Sequence, residues 1–348
     1  MSERRSTVVA ALDPGQAGCW DRFVDAHPDA TFFHKSAWKP VIERGFGQRV
    51  FQLAAWRSGE IVGVLPLVHL RNRLFPRALV STAFCVHGGP VAQDARALEA
   101  LDAAAVALGS RLDVQHIEYR GRPGVREDWT ARGDLYATFR KPIDPDPDVN
   151  LKAIPRKQRA VLRKALAGDL SVTTGDDVGL FHGLYATSLR NLGTPVFSRR
   201  YLQALIDGFP EPEREIRVIR HAGTPVAGVL SFYFKDEVLP YYAGGTPECR
   251  GVGAHDLMYW TLMQDAAARG CRSFDFGRSK VATGAFAFKK NWGFEPEPLV
   301  YAYKLIRGSH VPDTTPSNPK YARAIAAWQR LPLWLANRIG PPIARELG

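Results

Sequence analysis

Apolar positions along the chain change their spacing segment by segment. Helical spacing marks short helices over 16–26 and 36–44, and an alanine-rich one from about Ala95 to Leu108. The runs "QRVFQLAAWR" and "EIVGVLPLVHL" alternate in the manner of half-buried strands and meet at Ser58 and Gly59, which signals a hairpin. "VQHIEYRG" and "YATFRKPI" read as further strands, the second closing the first half of the chain. "PIDPDPDVN" then alternates Pro and Asp, so a linker is expected over 142–150. Beyond it the order recurs. Helices are expected over 155–167, 178–192 and 198–206, followed by the strands "EIRVIRH", "PVAGVLSFYF" and "EVLPYYAG". A helix over 253–268 then leads into "SFDFG".

The recurrence extends to sequence echoes. "GEIVGVL" at 59–65 resembles "GTPVAGVL" at 223–230, and "HIEYRG" follows its helix as "SFDFGR" does. A duplicated α/β unit with mixed sheets follows: antiparallel strands, a helix, a strand beside the last one, and a closing strand. The expected domains are 1–145, 146–310 carrying the main site, and a tail over 311–348.

Composition narrows the chemistry. The 348 residues are 45% apolar, in the range of a globular protein. No segment offers about 20 uninterrupted apolar residues and no leader is evident at the N-terminus, so a cytoplasmic protein is expected. Cys19, Cys85, Cys249 and Cys271 are scattered without a CxxC pair, and the nine histidines lack metal-ligand spacing, so no metal site is expected. No Gly-x-Ser-x-Gly elbow occurs, which argues against a covalent hydrolase. The net charge of +11 favours anionic partners, and much of the excess lies in "NLKAIPRKQRAVLRKALAG", which has no acid.

Candidate chemistry concentrates in the second half. Arg156, Arg159 and Arg163 recur at helical spacing and form a stripe suited to phosphate, or else a solvated face. Arg250, Gly251 and Gly253 precede a helix and could form an anion loop, or a plain turn, with Glu248 opposing an anion. Asp275 alternates with Phe274 and Phe276, so the carboxylate points away from both rings, either to act on an amine or to anchor Arg278. Glu118 takes the equivalent place in the first half. Gly284 starts a helix that aligns Phe288 with Trp292 and turns Lys289 or Lys290 to another face. An inward lysine would stabilise the oxyanion of acyl transfer; otherwise the pair is solvated. Tyr242 in "YYAGG" stands where substrate would lie.

The plan resembles tandem acyl-CoA N-acyltransferases of the GNAT type. "LYATSLRNLGTPVFSRRYLQAL", "LPYYAGG", "FDFGRSK" and "FAFKKNWGFEPEPLVY" resemble the FemAB-related subgroup associated with PEP-CTERM/exosortase exopolysaccharide loci. The resemblance covers about 150–305. It implies aminoacyl or acyl transfer to an amine on a cell-envelope or exopolysaccharide precursor, by direct attack without a covalent enzyme intermediate. It also implies no tightly bound cofactor, with aminoacyl-tRNA or acyl-CoA as donor, and an anionic or lipid-linked saccharide as substrate. Phe288-Lys289 matches the family's Phe-Lys pair, which contacts the tRNA acceptor end. "FFHKSAW" at 32–38 is similar to the family's "QSxxW" segment, except that Ile42 stands where a lysine is usual and Lys35 or Lys39 would have to substitute. The aromatic and basic tail would either touch the inner face of a membrane or pack on the first domain. An ordinary acyl-CoA N-acyltransferase and a non-catalytic basic RNA-binding or scaffold protein are the rival readings.

Overall fold

The computed structural model describes residues 6–71, 76–121, 128–307 and 322–347. Along the chain run β1 (Val8–Ala11), α1 (Ala17–Ala26), α2 (Trp38–Phe46), β2 (Arg49–Arg57), β3 (Glu60–Leu70), β4 (Ala78–Ser81), β5 (Val91–Ala92), α3 (Ala95–Arg111), β6 (His116–Arg120) and β7 (Thr130–Arg132). Then come β8 (Tyr136–Pro142), α4 (Pro147–Ala153), α5 (Arg156–Leu166), β9 (Leu170–Gly175), α6 (Val178–Leu192), α7 (Arg199–Gly208), β10 (Arg214–His221), β11 (Thr224–Phe234) and β12 (Glu237–Gly245). The last are α8 (Cys249–Val252), α9 (Ala254–Ala268), β13 (Ser273–Asp275), β14 (Ser279–Lys280), α10 (Gly284–Asn291), β15 (Pro296–Pro298), β16 (Tyr301–Leu305), α11 (Ala322–Gln329) and α12 (Leu333–Leu347).

Contacts divide the chain into two compact units. The first takes Met1–Asp134, Leu299–Thr315 and Arg345–Gly348, and the second Leu135–Pro298 and Pro316–Ala344. Each holds one mixed sheet, ordered β1-β2-β3-β4-β6-β16-β7 with β5 on β3 in the first, and β14-β8-β13-β12-β11-β10-β9 with β15 on β8 in the second. The chain is a mixed α/β protein of tandem GNAT-like plan.

The two sheets are built by the same local rules. Ser58 and Gly59 turn the β2/β3 hairpin with φ of 55° and 83°, and Ala222 and Gly223 turn β10/β11 with 46° and 78°. Two positive φ values make the turn whose twist matches the strands it joins. Both hairpins slip register just before the turn, at Ala55/Trp56 and at Ile219/Arg220. A parallel pair follows in each, β4 with β6 and β12 with β13, crossed by α3 and α9 respectively. Leu101, Ala105 and Leu108 of α3 join Leu65, Leu67 and Ile117 in the first core, and Leu257, Met258 and Leu262 of α9 join Val229, Val238 and Phe274 in the second.

The closing strands depart from expectation. β8 was expected to finish the first sheet, yet it pairs antiparallel with β13 in the second; β16, at the far end of the chain, pairs with β6 in the first. Each sheet is thus closed by a strand from beyond the other's main run. The unit boundary consequently falls at Leu135 rather than 146, and residues from Leu299 return to the first unit. "PIDPDPDVN" is not an open linker either. Asp146 caps α4 by accepting from Asp148 N at 2.9 Å with Pro147 at the first helical position, and Asn150 bridges Asp144 at 2.7 and 2.9 Å. Alternate Asp side chains satisfy the helix donors while Pro gives up none that the helix needs.

The tail was expected on the first domain or on a membrane. The described tail is divided: Ala322 to Ala344 belong to the second unit, where α11 lies on α6 with Gln329 donating to Asn191 O at 3.2 Å and Arg190 to Leu331 O at 3.2 Å, whereas Arg345 onward belongs to the first unit. Among the described residues no helix is long and apolar enough to cross a membrane.

Candidate active site in the second unit

Where β12 and β13 run parallel they pair only at Glu237/Ser273 and Val238/Phe274, while β12 continues along β11 to Gly245. From Leu239 onward the β13 side of β12 carries no strand partner among the described residues, so the sheet opens there. A bulge helps it. Leu230 faces Tyr242 and Ser231 faces Pro240, leaving Tyr241 as the extra residue. Both tyrosines are half-buried, 4.2 Å apart between ring centroids, and Tyr242 meets Tyr201 hydroxyl to hydroxyl at 3.0 Å. The end of β12 runs hard against α6: a Cβ on Gly244 would lie 2.5 Å from the Tyr185 Cα. Only glycine permits that approach.

The far wall of the opening is built by β13, β14 and α10. β13 ends at Asp275, paired with Arg140, and β14 resumes on the same strand with Ser279 opposite Ala137. Phe276 N still donates to Phe139 O at 2.8 Å, but Gly277, at φ 67°, and Arg278 leave the ladder and make 276–278 a bulge. Their released backbone groups find two side chains. Asp275 Oδ1 accepts from Gly277 N at 2.7 Å, and Lys289 Nζ donates to Gly277 O at 2.9 Å and Arg278 O at 3.1 Å. Thr283 starts α10 by accepting from Phe286 N at 3.3 Å, which aligns Lys289 inward while Lys290 stays exposed. The Lys289 ammonium lies 5.4 Å from the Phe139 ring centre and 5.8 Å from that of Phe276. Burial pushes its pKa down to about 7; Asp275 opposes that shift and Arg278 adds to it. A third N–H remains beyond the two carbonyls. Phe288 takes the other side of α10 and joins Tyr259, Phe276 and Trp292 in an aromatic wall.

Asp275 is expected from sequence to face the opening. It is only 3% exposed and is engaged by Gly277 N, by the Thr138 hydroxyl at 3.4 Å and by Arg140 at 3.8 Å. Its cationic neighbour is Arg140 rather than Arg278, whose guanidinium stacks 4.8 Å from the Tyr136 ring centre. Arg140 is shared. It also grips Glu237 at 2.7 and 2.9 Å, and burial, reinforced by Asp275, pushes Glu237 up to about 7 in spite of that grip. Glu237, Arg140 and Thr138 are absent from the sequence-derived site, because the strand carrying Arg140 and Thr138 was assigned to the other sheet.

The basic helix α5 forms as the spacing predicts, with Ile154 and Leu162 buried. Val161 and Leu166 are exposed. Arg156 and Arg163 are exposed, and Arg159 is half-buried with an Nε that meets no partner. α5 crosses the start of α9, where Gln158 holds Asp256, which also accepts from Trp292 Nε1 at 2.9 Å. The Gly251-Val252-Gly253 loop is not an open loop: Gly251 lies in α8 and Gly253 caps α9 at φ 71°. A Cβ there would sit 3.0 Å from the Ala165 Cβ, so Gly253 lets α5 approach. Arg250 is exposed, and Glu248 is turned to the Thr246 hydroxyl at 2.6 Å. In the first unit, Lys35 is paired with Asp25 at 3.1 Å and Lys39 with Glu43 at 2.6 Å, while Glu118 is paired with Arg120 at 2.6 Å.

Residues 152–290 match the acetyltransferase (GNAT) domain model. That segment contains the opening, Asp275 and Lys289. The second unit therefore carries an acyltransferase domain of GNAT type over that segment. Among solved structures the GNAT-like chain is similar to FemX, at 17% identity and TM-score 0.66, covering 86% of this chain and 98% of that one. It is similar as well to the C-terminal domain described as that of a lysylphosphatidylglycerol synthetase from Agrobacterium fabrum, at 14% identity and TM-score 0.55, covering 83% and 91%. A tandem GNAT protein from the clavulanic acid biosynthesis pathway matches at 14% identity and TM-score 0.54, covering 88% and 100%. At these identities the likeness is one of fold. No curated protein matches the sequence.

Proposed function

We propose that this acyltransferase joins an aminoacyl or acyl group to an amine on a cell-envelope or exopolysaccharide precursor, at the inner face of the membrane. Transfer is direct, from donor carbonyl to amine, as in the FemAB-related subgroup that the sequence resembles. The observation that carries this reading is the inward Lys289, seated on the carbonyls of Gly277 and Arg278 beside the opened strands. Its remaining N–H is offered to the carbonyl oxygen that gains charge as the amine attacks, a contact of the kind worth roughly 2.7–4 kcal/mol. Asp275 holds the 276–278 bulge and, through it, the lysine; with Glu237 it also supplies a carboxyl pair that can take the amine's proton. Tyr242 and Phe288 line the opening, and Arg278 stands at its edge.

The donor read first is an aminoacyl-tRNA, supported by the acid-free α5 with Arg156, Arg159 and Arg163 and by the sequence resemblance to the FemAB family. Acyl-CoA is the second reading. It is favoured by the GNAT domain match and by the N-terminus of α9, which begins at Gly253 without a side-chain cap and has Arg250 nearby. The test is amide formation from charged tRNA and, separately, from acyl-CoA, with a lipid-linked amino sugar as acceptor. Product from the first donor that falls about 100-fold or more in Lys289→Met supports the proposal. Product from neither donor, or an undiminished Lys289→Met rate, overturns it.

A further inference from the structure

The closing helices present an unusual surface. One side of α12 is buried in the second unit: Ala336 and Ala344 are covered, and Gly340 approaches Val196 so closely that a Cβ would lie 3.1 Å from its backbone N. The opposite arc carries Trp334, Arg338, Ile339 and Pro342, which fall within one face at helical spacing. Trp334 is 68% exposed and Ile339 37%, although both are large and apolar. Leu192 is also 60% exposed, and its neighbours Asn191 and Arg190 are bonded to Gln329 and to Leu331 just ahead of Trp334.

Charge sorts the occupants. From Ala322 to Arg345 the sequence holds Arg323, Arg330, Arg338 and Arg345 and no Asp or Glu. An exposed tryptophan with Arg330 in the turn just ahead of its helix and Arg338 one turn after it has the make-up of a helix lying in a lipid headgroup layer. There the indole is half apolar and half hydrogen-bonding, and the guanidiniums reach phosphates. A protein partner would be expected to meet some acid for its own cations, and a nucleic acid would gain nothing from three exposed aliphatic and aromatic side chains.

We infer that the exposed face of α12, with Leu192, is a docking surface for an anionic bilayer, seating the second unit on the membrane through Trp334 and Ile339. This rests on the membrane placement proposed above, and binding is read without any transfer assay, so its failure leaves the transfer chemistry standing.

The experiment is flotation of the full chain with vesicles of about 30% phosphatidylglycerol in phosphatidylcholine, beside pure phosphatidylcholine vesicles. Indole quenching by brominated lipid is read in parallel. Trp334 is the most exposed tryptophan while Trp56 and Trp328 are half-buried, so the quenching assigned to Trp334 is the part that Trp334→Phe removes. Expected are flotation with the anionic vesicles that weakens from about 0.1 M to about 0.5 M salt, and quenching lost in Trp334→Phe. A loss of about fivefold is expected in each of Arg330→Gln and Arg338→Gln, and of at least about tenfold in Trp334→Ala with unchanged melting temperature. No flotation, equal binding to the neutral vesicles, or full binding by folded Trp334→Ala would overturn the inference. So would self-association that Trp334→Ala abolishes without any lipid binding, which would make the face an interface between two copies.

Discussion

Replacing Lys289 by methionine keeps the length and apolar stem of the side chain and removes only the ammonium. Two opposing effects follow. The carbonyls of Gly277 and Arg278 lose a charged donor at 2.9 and 3.1 Å, which costs about 1.5–3 kcal/mol if water does not replace it. Against this, a charge that burial disfavours is deleted: the fall from 10.5 to about 7 corresponds to as much as ~5 kcal/mol between the two protonation states, and partial hydration of the seat reduces that to ~2 kcal/mol. The folded-state pKa lies below the unfolded one, so the penalty is complete below about 7 and is relieved as pH rises toward 10.5. Urea unfolding should therefore show the native protein gaining stability relative to Lys289→Met between pH 7 and 10, by about 2 kcal/mol. Catalysis should move the other way. If the ammonium meets the developing oxyanion, the rate is full below about 7 and falls as the lysine deprotonates, and in Lys289→Met the rate is lower by about 100-fold or more with that limb gone. A limb that persists in the methionine variant would refute the argument, because the titrating group would then lie elsewhere.

Other outcomes follow from the same geometry. Asp275→Asn keeps an acceptor for Gly277 N and should hold the fold to within about 1 kcal/mol of the native value, whereas Asp275→Ala leaves that donor bare and should cost about 1–3 kcal/mol, compared by urea midpoints. If Asp275 also takes a proton, kcat in the Asn variant falls by about 100-fold or more at unchanged KM. Gly253→Ala combines a left-handed φ with a 3.0 Å approach to Ala165 and should lower stability by about 1–2 kcal/mol, read as a drop in melting temperature. Trp292→Phe empties little volume but strips a donor from buried Asp256, with an expected cost of about 1–3 kcal/mol. Calorimetry with acyl-CoA separates the two donors, since binding abolished by Arg250→Glu is expected only if that donor sits at the α9 N-terminus.

Much of this protein is written locally. The β2/β3 and β10/β11 hairpins were legible because Ser58-Gly59 and Ala222-Gly223 sit between alternating runs, and a turn depends only on its own few residues. The same holds for α5, α9 and the α10 start at Gly284, whose apolar spacing and Thr283 cap lie within one or two turns. Periodicity also turned one of Lys289 and Lys290 to the inner face without deciding which; the packing of α10 makes it Lys289.

What required the folded chain was every decision that pairs distant segments. A strand such as Tyr136–Pro142 carries no mark of which sheet it will close, because ladder hydrogen bonds come from backbone groups common to all residues. Assigning it to the first half hid Arg140 and Thr138, and with them the partners that hold Asp275 at the bulge beside the opening. The tail is the same case: composition fixed its basic and aromatic character, while only packing on α6 decided that Ala336 and Gly340 turn inward and Trp334 outward. Local free energies set turns, caps and helix faces, but sheet membership and exposure depend on contacts between residues far apart in sequence, and those are chosen by the burial of the whole unit.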